Sequence, residues 1–369
     1  MKLMQLCLSK SWGGLEMSAI RYSELLSEHG HESVCACLKD SPLAKASNQA
    51  ALKTLLLPKS PRLWPFGSSL RLRAALREHQ IDVVFVHHLK DLVKLLPALI
   101  GLNQVKLVGL SHVLVSRSKK DIFHRFIYSF LSKMIVFTKI QKDLSIPVLP
   151  VPPERYEVIP GFVDTKVFHS SKRNLDLRRS WNVSPDEILI GAIGRLDEQK
   201  GQAEFLEALA IVKSEAPELK WKAVLIGAVT ASEEKKGYPL YIQSLLEDLH
   251  LRDRVQLLGF LPDPSEAMAS LDLFVLPSYK ETFGLVILEA MASHVVPIVT
   301  DAGGPPEIIG NTGLRVEPKN KQALANAILE VLKHPSRREE LAKAAEARAT
   351  SVFSRNAVGL QLHSLLRSL

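Results

Sequence analysis

The chain has 369 residues, of which 46% are hydrophobic, and it carries a formal charge of +8. This length is too great for one ordinary core and predicts two domains. The basic excess favours an anionic partner, whether a phosphate, a nucleic acid or a lipid headgroup, and composition does not choose among them. The longest apolar stretch, residues 92–102, contains Lys94 and Pro97 and is too short to span a bilayer. We therefore expect a cytosolic or peripheral protein.

Strand-like and helix-like runs alternate along the chain, which indicates parallel sheets covered by helices. In the first half we predict strands at 2–8, 32–38, 52–57, 82–87, 105–110 and 133–138, with helices at 15–29, 68–79, 90–101 and 119–132. In the second half we predict strands at 188–193, 221–226, 254–258, 272–277 and 295–300, with helices at 202–215, 239–249 and 284–293 before the terminal helices. The expected fold is α/β, with two doubly wound, Rossmann-like domains facing a central cleft.

Five prolines in residues 147–160 mark the expected connection between the domains. We place the domains at 1–160 and 161–350, and we expect a helix in 351–369 to fold back onto the first domain. The cysteines, Cys7, Cys35 and Cys37, fall inside predicted strands. Their odd number and lack of framework spacing indicate core thiols in a reducing compartment.

Two carboxylates follow the apolar run of residues 273–277, in the block Glu281-x7-Glu289. We expect Glu281 in a strand-to-helix loop and Glu289 about two turns into the following helix. Ligands of open α/β sheets bind at such loops, at the carboxyl ends of the strands. Two acids there, with Gly284 allowing close backbone approach, favour a hydroxyl-rich, anionic ligand such as a nucleotide sugar. The alternative is a solvated carboxylate followed by a helix-capping one.

The loop after the first strand of the second half, residues 194–201, contains Arg195 and Lys200. A guanidinium and an ammonium beside a helix N-terminus suit a diphosphate. Residues 301–307 follow another strand, and either border the same ligand or form only a proline-rich turn. The sequence contains no Asp-x-Asp, the usual clamp for a magnesium–diphosphate. We therefore expect Arg195, Lys200 and helix dipoles to meet the charge without a metal.

In the first half, Gly13 and Gly14 occupy the loop after the first strand, where they allow either a ligand to approach or a tight turn. His112 follows the strand 105–110, and His87 and His88 end another strand at what we expect to be the same rim. None of these histidines has a metal-ligand partner at helical spacing, so we predict no zinc site.

Nearly the whole chain resembles family 4 of the glycosyltransferases, which have the two-domain GT-B architecture. The resemblance rests on Gly13-Gly14-Leu-Glu16, residues 30–34, His112, residues 158–164, Gly194-Arg195-Leu196 with Lys200-Gly201, and Pro277-Ser278 before Glu281-x7-Glu289. Two departures stand out. Gly161-Phe162 stands where the segment between the domains usually reads Asn-Gly, so that Phe162 takes the place of the glycine, and His112 lacks the usual polar neighbour.

The resemblance implies a role for each matching residue. Arg195 and Lys200 would neutralise the donor diphosphate, and Glu289 would bind the ribose hydroxyls. The donor sugar and phosphates would be contacted by Glu281, by the backbone of Phe283, Gly284 and Leu285, and by His112. Gly194 would belong to the loop that binds the diphosphate, and Phe260 would lie near the base. Gly13 and Gly14 would line the phosphate or acceptor side.

The resemblance also implies a metal-independent reaction without a cofactor, in which the sugar keeps its anomeric configuration. A UDP-sugar donor is favoured over a GDP-sugar, and the acceptor is a saccharide or a lipid-linked saccharide, as in lipopolysaccharide or envelope polysaccharide assembly. The rival interpretations are a nucleotide-sugar epimerase on the same fold and a non-catalytic relative. We expect no nucleic-acid partner, because no recognised binding module occurs.

Residues 116–142 contain seven Lys or Arg and one Asp, and they include a predicted amphipathic helix. Its apolar side chains are Ile122, Phe123, Phe126, Ile127, Phe130 and Leu131. Such a helix either docks on an anionic membrane surface, which would make the protein peripheral on the inner face of the cytoplasmic membrane, or simply packs on the first sheet. The sequence leaves both interpretations open.

Overall fold

The structure is a computed structural model that describes residues 1–59, 66–115, 117–229 and 231–369. The chain divides into two compact units. Unit 1 comprises Met1–Pro160 and Asn356–Leu369, and unit 2 comprises Gly161–Arg355.

Unit 1 contains one parallel sheet of seven strands in the order β3-β2-β1-β4-β5-β6-β7. Along the chain its elements are β1 (Lys2–Cys7), α1 (Gly14–Glu28), β2 (Glu32–Leu38), α2 (Pro42–Gln49), β3 (Lys53–Leu57), α3 (Phe66–Glu78), β4 (Val83–Val86), α4 (Leu92–Leu95), β5 (Lys106–Leu110), α5 (Ile122–Ser129), β6 (Lys133–Val136), α6 (Lys139–Ser145) and β7 (Tyr156–Val158). The strand order reverses between β1 and β4, so the loops after these two strands flank the switch point at which such sheets bind ligands.

Unit 2 contains a parallel sheet of six strands in the order β10-β9-β8-β11-β12-β13. Its elements are α7 (Leu175–Ser180), β8 (Ile188–Ile193), α8 (Gln202–Glu215), β9 (Trp221–Ile226), α9 (Ala231–Lys235), α10 (Tyr238–Asp248), β10 (Val255–Gly259), α11 (Ser265–Ala269), β11 (Leu273–Leu276), α12 (Leu285–Ala292), β12 (Val296–Thr300), α13 (Pro305–Ile309), β13 (Leu314–Val316), α14 (Lys321–Lys333) and α15 (Pro335–Val352). The switch point here lies between β8 and β11. The last helix, α16 (Arg355–Arg367), belongs to unit 1 from Asn356 onward.

One central strand of each sheet is buried along its whole length. Every residue of β4 and of β11 is buried, as expected for strands covered by helices on both faces. The three cysteines lie buried in β1 and β2 and form no disulfide. Among the described residues, no helix combines the length and the apolar character needed to cross a membrane.

Several sequence-based expectations differ from the structure. The single helix predicted at 90–101 is wrong, since it is divided into a 3-10 turn, the short α4 and a second 3-10 turn, Leu96–Leu99, that contains Pro97. Proline cannot donate the backbone hydrogen bond that would continue an α-helix. The proline-rich segment 147–160 belongs to unit 1, and within it β7 pairs with β6. Phe162, the departure from the family pattern, is buried in unit 2 under the Arg355 guanidinium.

Candidate active site

Two loops of unit 2 bring a cation and a carboxylate into contact at the carboxyl edge of the sheet. Lys200 lies between β8 and α8, and its Nζ is 2.5 Å from Oε2 of Glu281, which lies between β11 and α12. Both side chains are mostly buried but remain partly open to solvent. Because β8 and β11 flank the switch point, this ion pair lies where an open α/β sheet binds its ligand.

The backbone fixes these two loops against each other. The amide of Tyr279 donates to the carbonyl of Gln199 at 2.9 Å. Gly201 ends the 3-10 turn Glu198–Lys200 with φ 70°, and a Cβ there would lie 2.1 Å from the carbonyl oxygen of Pro277. Only glycine allows both this conformation and this approach. The position of Lys200 is therefore set by the fold of the two loops.

Arg195 occupies the other end of the same loop and is 62% exposed. Its guanidinium lies 3.7 Å from Asp197, and its carbonyl accepts a hydrogen bond from Nε2 of Gln202 at 2.8 Å. The hydroxyl of Tyr238 donates to Oε1 of Gln202 at 3.3 Å. The backbone of Arg195 is thus held while its side chain has room to turn toward an anion.

Three glycine-containing loops meet beside Arg195. A Cβ on Gly227 would lie 1.6 Å from the carbonyl oxygen of Gly194, and the amide of Gly227 donates to the carbonyl of Gly259 at 2.7 Å. The next residue, Phe260, is 67% exposed. The loops after β8, β9 and β10 therefore lie side by side. Gly227 was not predicted as a site residue from the sequence, although a glycine directly after a buried strand is a recognisable signal for such an approach.

The turn that enters α12 presents backbone to the site. Gly284 precedes the helix with φ 88°, and Leu285 is its first residue. The ring of Phe283 is buried and packs edge-on against Phe353 at 6.5 Å, so Phe283 offers its main chain to the site. Glu289 is the fifth residue of α12, hence little more than one turn in. The predicted depth of about two turns was slightly too large, in part because the helix starts one residue, or about a quarter of a turn, later than expected.

The segment after β12 borders Glu281, which favours the first of our two interpretations of residues 301–307. Glu281 pairs with Gly303 in an isolated parallel bridge, and the amide of Gly304 donates to its carbonyl at 3.1 Å. Among the described residues, no group of three or more histidine, cysteine or acidic side chains is arranged to hold a metal ion.

At the carboxyl edge of unit 1, His112 contacts a buried histidine. Nε2 of His112 lies 3.3 Å from Nδ1 of His87, and the two rings are stacked at 5.4 Å between centroids. Burial, followed by the neighbouring His112, holds the pKa of His87 well below its ordinary value. Burial, followed by His88, lowers the pKa of His112 to about 4. Both rings are therefore neutral near pH 7.

Gly13 and Gly14 begin α1 without needing to be glycine. Gly13 is extended, with φ −177°, and Gly14 is the first residue of the helix. A Cβ on Gly14 would meet no other heavy atom within 4 Å. The tight turn with positive φ that we considered is thus absent, and the remaining interpretation is access for a ligand. Trp12, directly before the pair, is about half exposed.

The amphipathic segment of unit 1 divides its apolar side chains between two environments. The helix itself, α5, is shorter than predicted and is capped by Asp121. Ile127 and Leu131 are buried, whereas four apolar side chains are exposed: Ile122, Phe123, Phe126 and Phe130. The core of unit 1 therefore covers only the minority of these apolar side chains and leaves the others exposed. Residue 116, which begins the basic segment, lies outside the described residues.

The comparison with known families matches both units. The family model described as "Glycosyl transferases group 1" matches residues 174–348, and the one described as "Glycosyltransferase Family 4" matches residues 12–167.

Individual relatives agree with these matches. A D-inositol 3-phosphate glycosyltransferase from Paenarthrobacter aurescens (strain TC1) is 27% identical over 63% of this chain and 57% of its own length. The lipopolysaccharide core biosynthesis mannosyltransferase LpcC from Rhizobium leguminosarum bv. viciae is 34% identical over 53% of each chain. The alignments thus span little more than half the length of these relatives.

The fold has solved counterparts. The crystal structure of HepE from Anabaena, in complex with UDP and glucose, has a TM-score of 0.84 and 24% identity, covering 100% of both chains. The two parallel-sheet units are those of the GT-B fold. Residues 12–167 thus belong to the family 4 glycosyltransferases and residues 174–348 to the group 1 glycosyl transferases.

Proposed function

We propose that the protein transfers a sugar from a nucleotide diphosphate sugar to a hydroxyl group of an acceptor, with retention of anomeric configuration and without a metal. The observation that carries this proposal is the contact of Lys200 with Glu281 at the switch point of the second sheet. A cation there can neutralise a leaving diphosphate, and a carboxylate beside it can accept hydrogen bonds from sugar hydroxyls.

The remaining unit 2 residues complete this assignment. The exposed guanidinium of Arg195 would bind the diphosphate from the other end of the loop, together with backbone amides at the start of α12. Glu289 would accept hydrogen bonds from the ribose, and the loop at Phe260 would border the base. A UDP-sugar is the favoured donor, and the HepE structures, which contain UDP and UDP-glucose, support this choice.

The exposed part of α5 supports a lipid-linked saccharide as the acceptor. Phe123 and Phe126 project into solvent beside the exposed cations Lys120 and Arg125. Aromatic side chains among basic ones bind the interface of an anionic membrane. The lipopolysaccharide role in the name of LpcC points to the same acceptor class. We place the protein on the inner face of the cytoplasmic membrane, in lipopolysaccharide or envelope polysaccharide assembly.

A donor panel tests the enzymatic proposal. Thermal unfolding would be followed with UDP-, GDP- and ADP-sugars, since a ligand at 100 times its Kd stabilises the native state by about 2.7 kcal/mol. We expect the largest rise in Tm with a UDP-sugar, and loss of this rise in the Lys200→Ala variant. A flat response to every nucleotide sugar would contradict the proposal. Incubation with donor alone, followed by analysis of the sugar, distinguishes an epimerase because that enzyme releases an isomerised sugar nucleotide.

Vesicle flotation tests the membrane part. We expect salt-sensitive binding to vesicles with anionic lipid and little binding to neutral ones. The Phe123→Ser/Phe126→Ser variant should lose binding. The Leu240→Ser variant, which removes an exposed apolar side chain from α10 in unit 2, should keep it. Equal flotation of all three proteins would remove the docking proposal and leave the donor results untouched.

A further inference from the structure

A row of polar side chains crosses three adjacent strands beneath the candidate site of unit 1. Gln5 lies in β1, His87 directly follows β4, and His112 lies two residues beyond β5. These strands are neighbours in the order β1-β4-β5. Gln5 is fully buried and His87 is 1% exposed, so the row leads from the core to the partly open ring of His112.

The hydrogen bonds along this row fix the position of each proton. Nε2 of His87 lies 2.8 Å from Oε1 of Gln5. An amide oxygen can only accept, so Nε2 of His87 must carry a hydrogen. Since His87 is neutral, its Nδ1 is bare and can only accept. The 3.3 Å contact to His112 then requires a hydrogen on Nε2 of His112.

The same reasoning determines whether the second ring nitrogen of His112, Nδ1, carries a hydrogen. A neutral imidazole carries one hydrogen, and that hydrogen is already placed on Nε2. We infer that Gln5 and His87 are positioning residues that hold His112 as the Nε2–H tautomer, so that its Nδ1 accepts a hydrogen bond from a sugar hydroxyl. The tautomer follows from unit 1 alone, whereas the hydroxyl partner rests on the proposed function.

The surroundings of the two rings are consistent with a neutral pair. Tyr22 contacts His87 edge-on at 5.6 Å, and Phe137 contacts His112 at 5.2 Å. His88, which acts with burial to lower the pKa of His112, lies 3.5 Å from Asp91. Oδ2 of Asp91 accepts from the amide of Leu8, so this carboxylate is already occupied by the loop after β1. A bare Nδ1 repels phosphate oxygens, which are acceptors too, and therefore selects a hydroxyl.

Nitrogen NMR of the full chain with ¹⁵N-labelled histidine tests the tautomer directly. At pH 7.5 and without ligand, we expect both His87 and His112 to show a protonated Nε2 and a bare Nδ1. The His87→Gln and His112→Gln spectra supply the assignments. A protonated Nδ1 on His112, which would arise if the amide of Gln5 were turned to donate to His87, overturns the inference, as does a charged ring.

A variant series tests the role of the buried amide. Gln5→Met keeps the side-chain volume and removes the acceptor, so His112 should become a mixture of tautomers. We expect kcat to fall about 10-fold, the effect of one hydrogen bond, with KM for the donor little changed. His88→Gln is the control, because His88 makes no hydrogen bond in this row, and its spectrum should keep the wild-type tautomer. An unchanged His112 tautomer in Gln5→Met contradicts the inference.

Ligand titration separates this inference from the proposed function. UDP-glucose should shift the Nδ1 resonance of His112, whereas UDP, which lacks the sugar, should not. An equal shift with UDP alone would overturn the hydroxyl contact. Failure of UDP-glucose and all other nucleotide sugars to bind would count against the proposed function, while the tautomer measured without ligand would still decide the role of Gln5 and His87.

Discussion

The two units carry different chemistry at the same edge of similar sheets. In unit 2, Lys200 and Glu281 form an ion pair beside the exposed guanidinium of Arg195. In unit 1, His87 and His112 stack as neutral rings. The topology gives both units a ligand-binding edge, but the loop residues decide which ligand suits it. The edge of unit 2 that carries Lys200, Glu281 and Arg195, here called the ionic edge, suits a diphosphate. The edge of unit 1 that carries His87 and His112, here called the neutral edge, suits hydroxyl groups.

The glycines of the two edges also differ. Gly201 and Gly227 are required by unit 2 itself, because a side chain at either position would strike a backbone carbonyl of a neighbouring loop. Gly13 and Gly14 meet no such constraint. A glycine in a strand-to-helix loop is therefore required by internal packing in unit 2, whereas the glycines of the corresponding loop of unit 1 border open space.

The largest expected effect tests the ionic edge. Lys200→Ala should lower turnover by about 10²–10³, the scale for removal of one group that stabilises developing charge. Lys213→Ala removes a lysine of α8 that pairs with Asp253, and it should leave turnover unchanged. Steady-state kinetics with the donor identified by the thermal panel would measure both. Equal turnover in the two variants would contradict the role of Lys200.

The second prediction concerns the packing of the unit 2 loops. Gly227→Ala places a methyl group against the carbonyl of Gly194, and overpacking of this kind costs about 1–3 kcal/mol. Gly194→Ala is the matched control, since its Cβ would meet nothing within 4 Å. Urea unfolding should show the loss in the first variant and a change below about 0.5 kcal/mol in the second. Similar stability of both variants would show that the loops relax without cost.

The third prediction tests the neutral edge through pH. The folded pKa of His112 is lowered to about 4, below the unfolded value of about 6.5, so the unfolded chain binds more protons between these values. The resulting stability is complete above pH 6.5 and declines as the pH falls toward 4. At pH 5 the loss due to His112 should be about 1–2 kcal/mol, and His87, whose pKa is shifted in the same direction, adds to it.

Unfolding midpoints measured from pH 7.5 to pH 4.5 check this dependence. The stability of the His112→Gln variant should fall less between pH 7.5 and pH 4.5 than that of the wild type, whatever the effect of the substitution on stability at pH 7.5. His334→Gln removes an exposed histidine from the start of α15 in unit 2 and should follow the wild-type slope. A wild-type slope in His112→Gln would mean that His112 is not kept neutral by burial.

The smallest effect distinguishes ligand access from packing at the start of α1. Gly14→Ala should raise stability by about 0.5–1 kcal/mol, because alanine favours the helix and its Cβ has free space. Its turnover should nevertheless fall, since a methyl group would occupy the space left for a ligand. Gly67→Ala, at the second residue of α3, should give the same stability gain with normal turnover. Full activity in Gly14→Ala would leave the glycine pair without a functional role.

Much of the fold follows from the sequence because its signals are local. The alternation of apolar strands and amphipathic helices predicted both sheets, and the two loops that carry Lys200 and Glu281 could be placed at one edge by the rule for open α/β sheets. Short elements such as β7 and β13 were missed, since three residues carry too little periodicity to stand out from a loop.

The contacts that depend on neighbouring strands could not be predicted from the sequence. Gln5 lies inside an apolar strand, and its hydrogen-bond partner, His87, is 82 residues away in the loop that follows β4. A polar residue in a buried strand signals that some partner exists, but only the register of β1 against β4 identifies His87. The division of the α5 side chains into buried and exposed ones could not be predicted for the same reason. Periodicity places Phe126 and Ile127 on a helix, and only the packed neighbours decide which of them is covered.

Unit 1 contains two stretches of the polypeptide that are separated by the whole of unit 2, Met1–Pro160 and Asn356–Leu369. Leu362 and Leu366 of α16 are buried, and Nδ1 of His363 lies 3.0 Å from Nε2 of His31, at the start of β2. On the ribosome, the first sheet emerges long before this helix, and unit 2 is synthesised in the interval. Unit 1 is therefore begun before unit 2 and completed after it, and damage to α16 would destabilise the region around His31 and β2 rather than the neighbouring residues of unit 2.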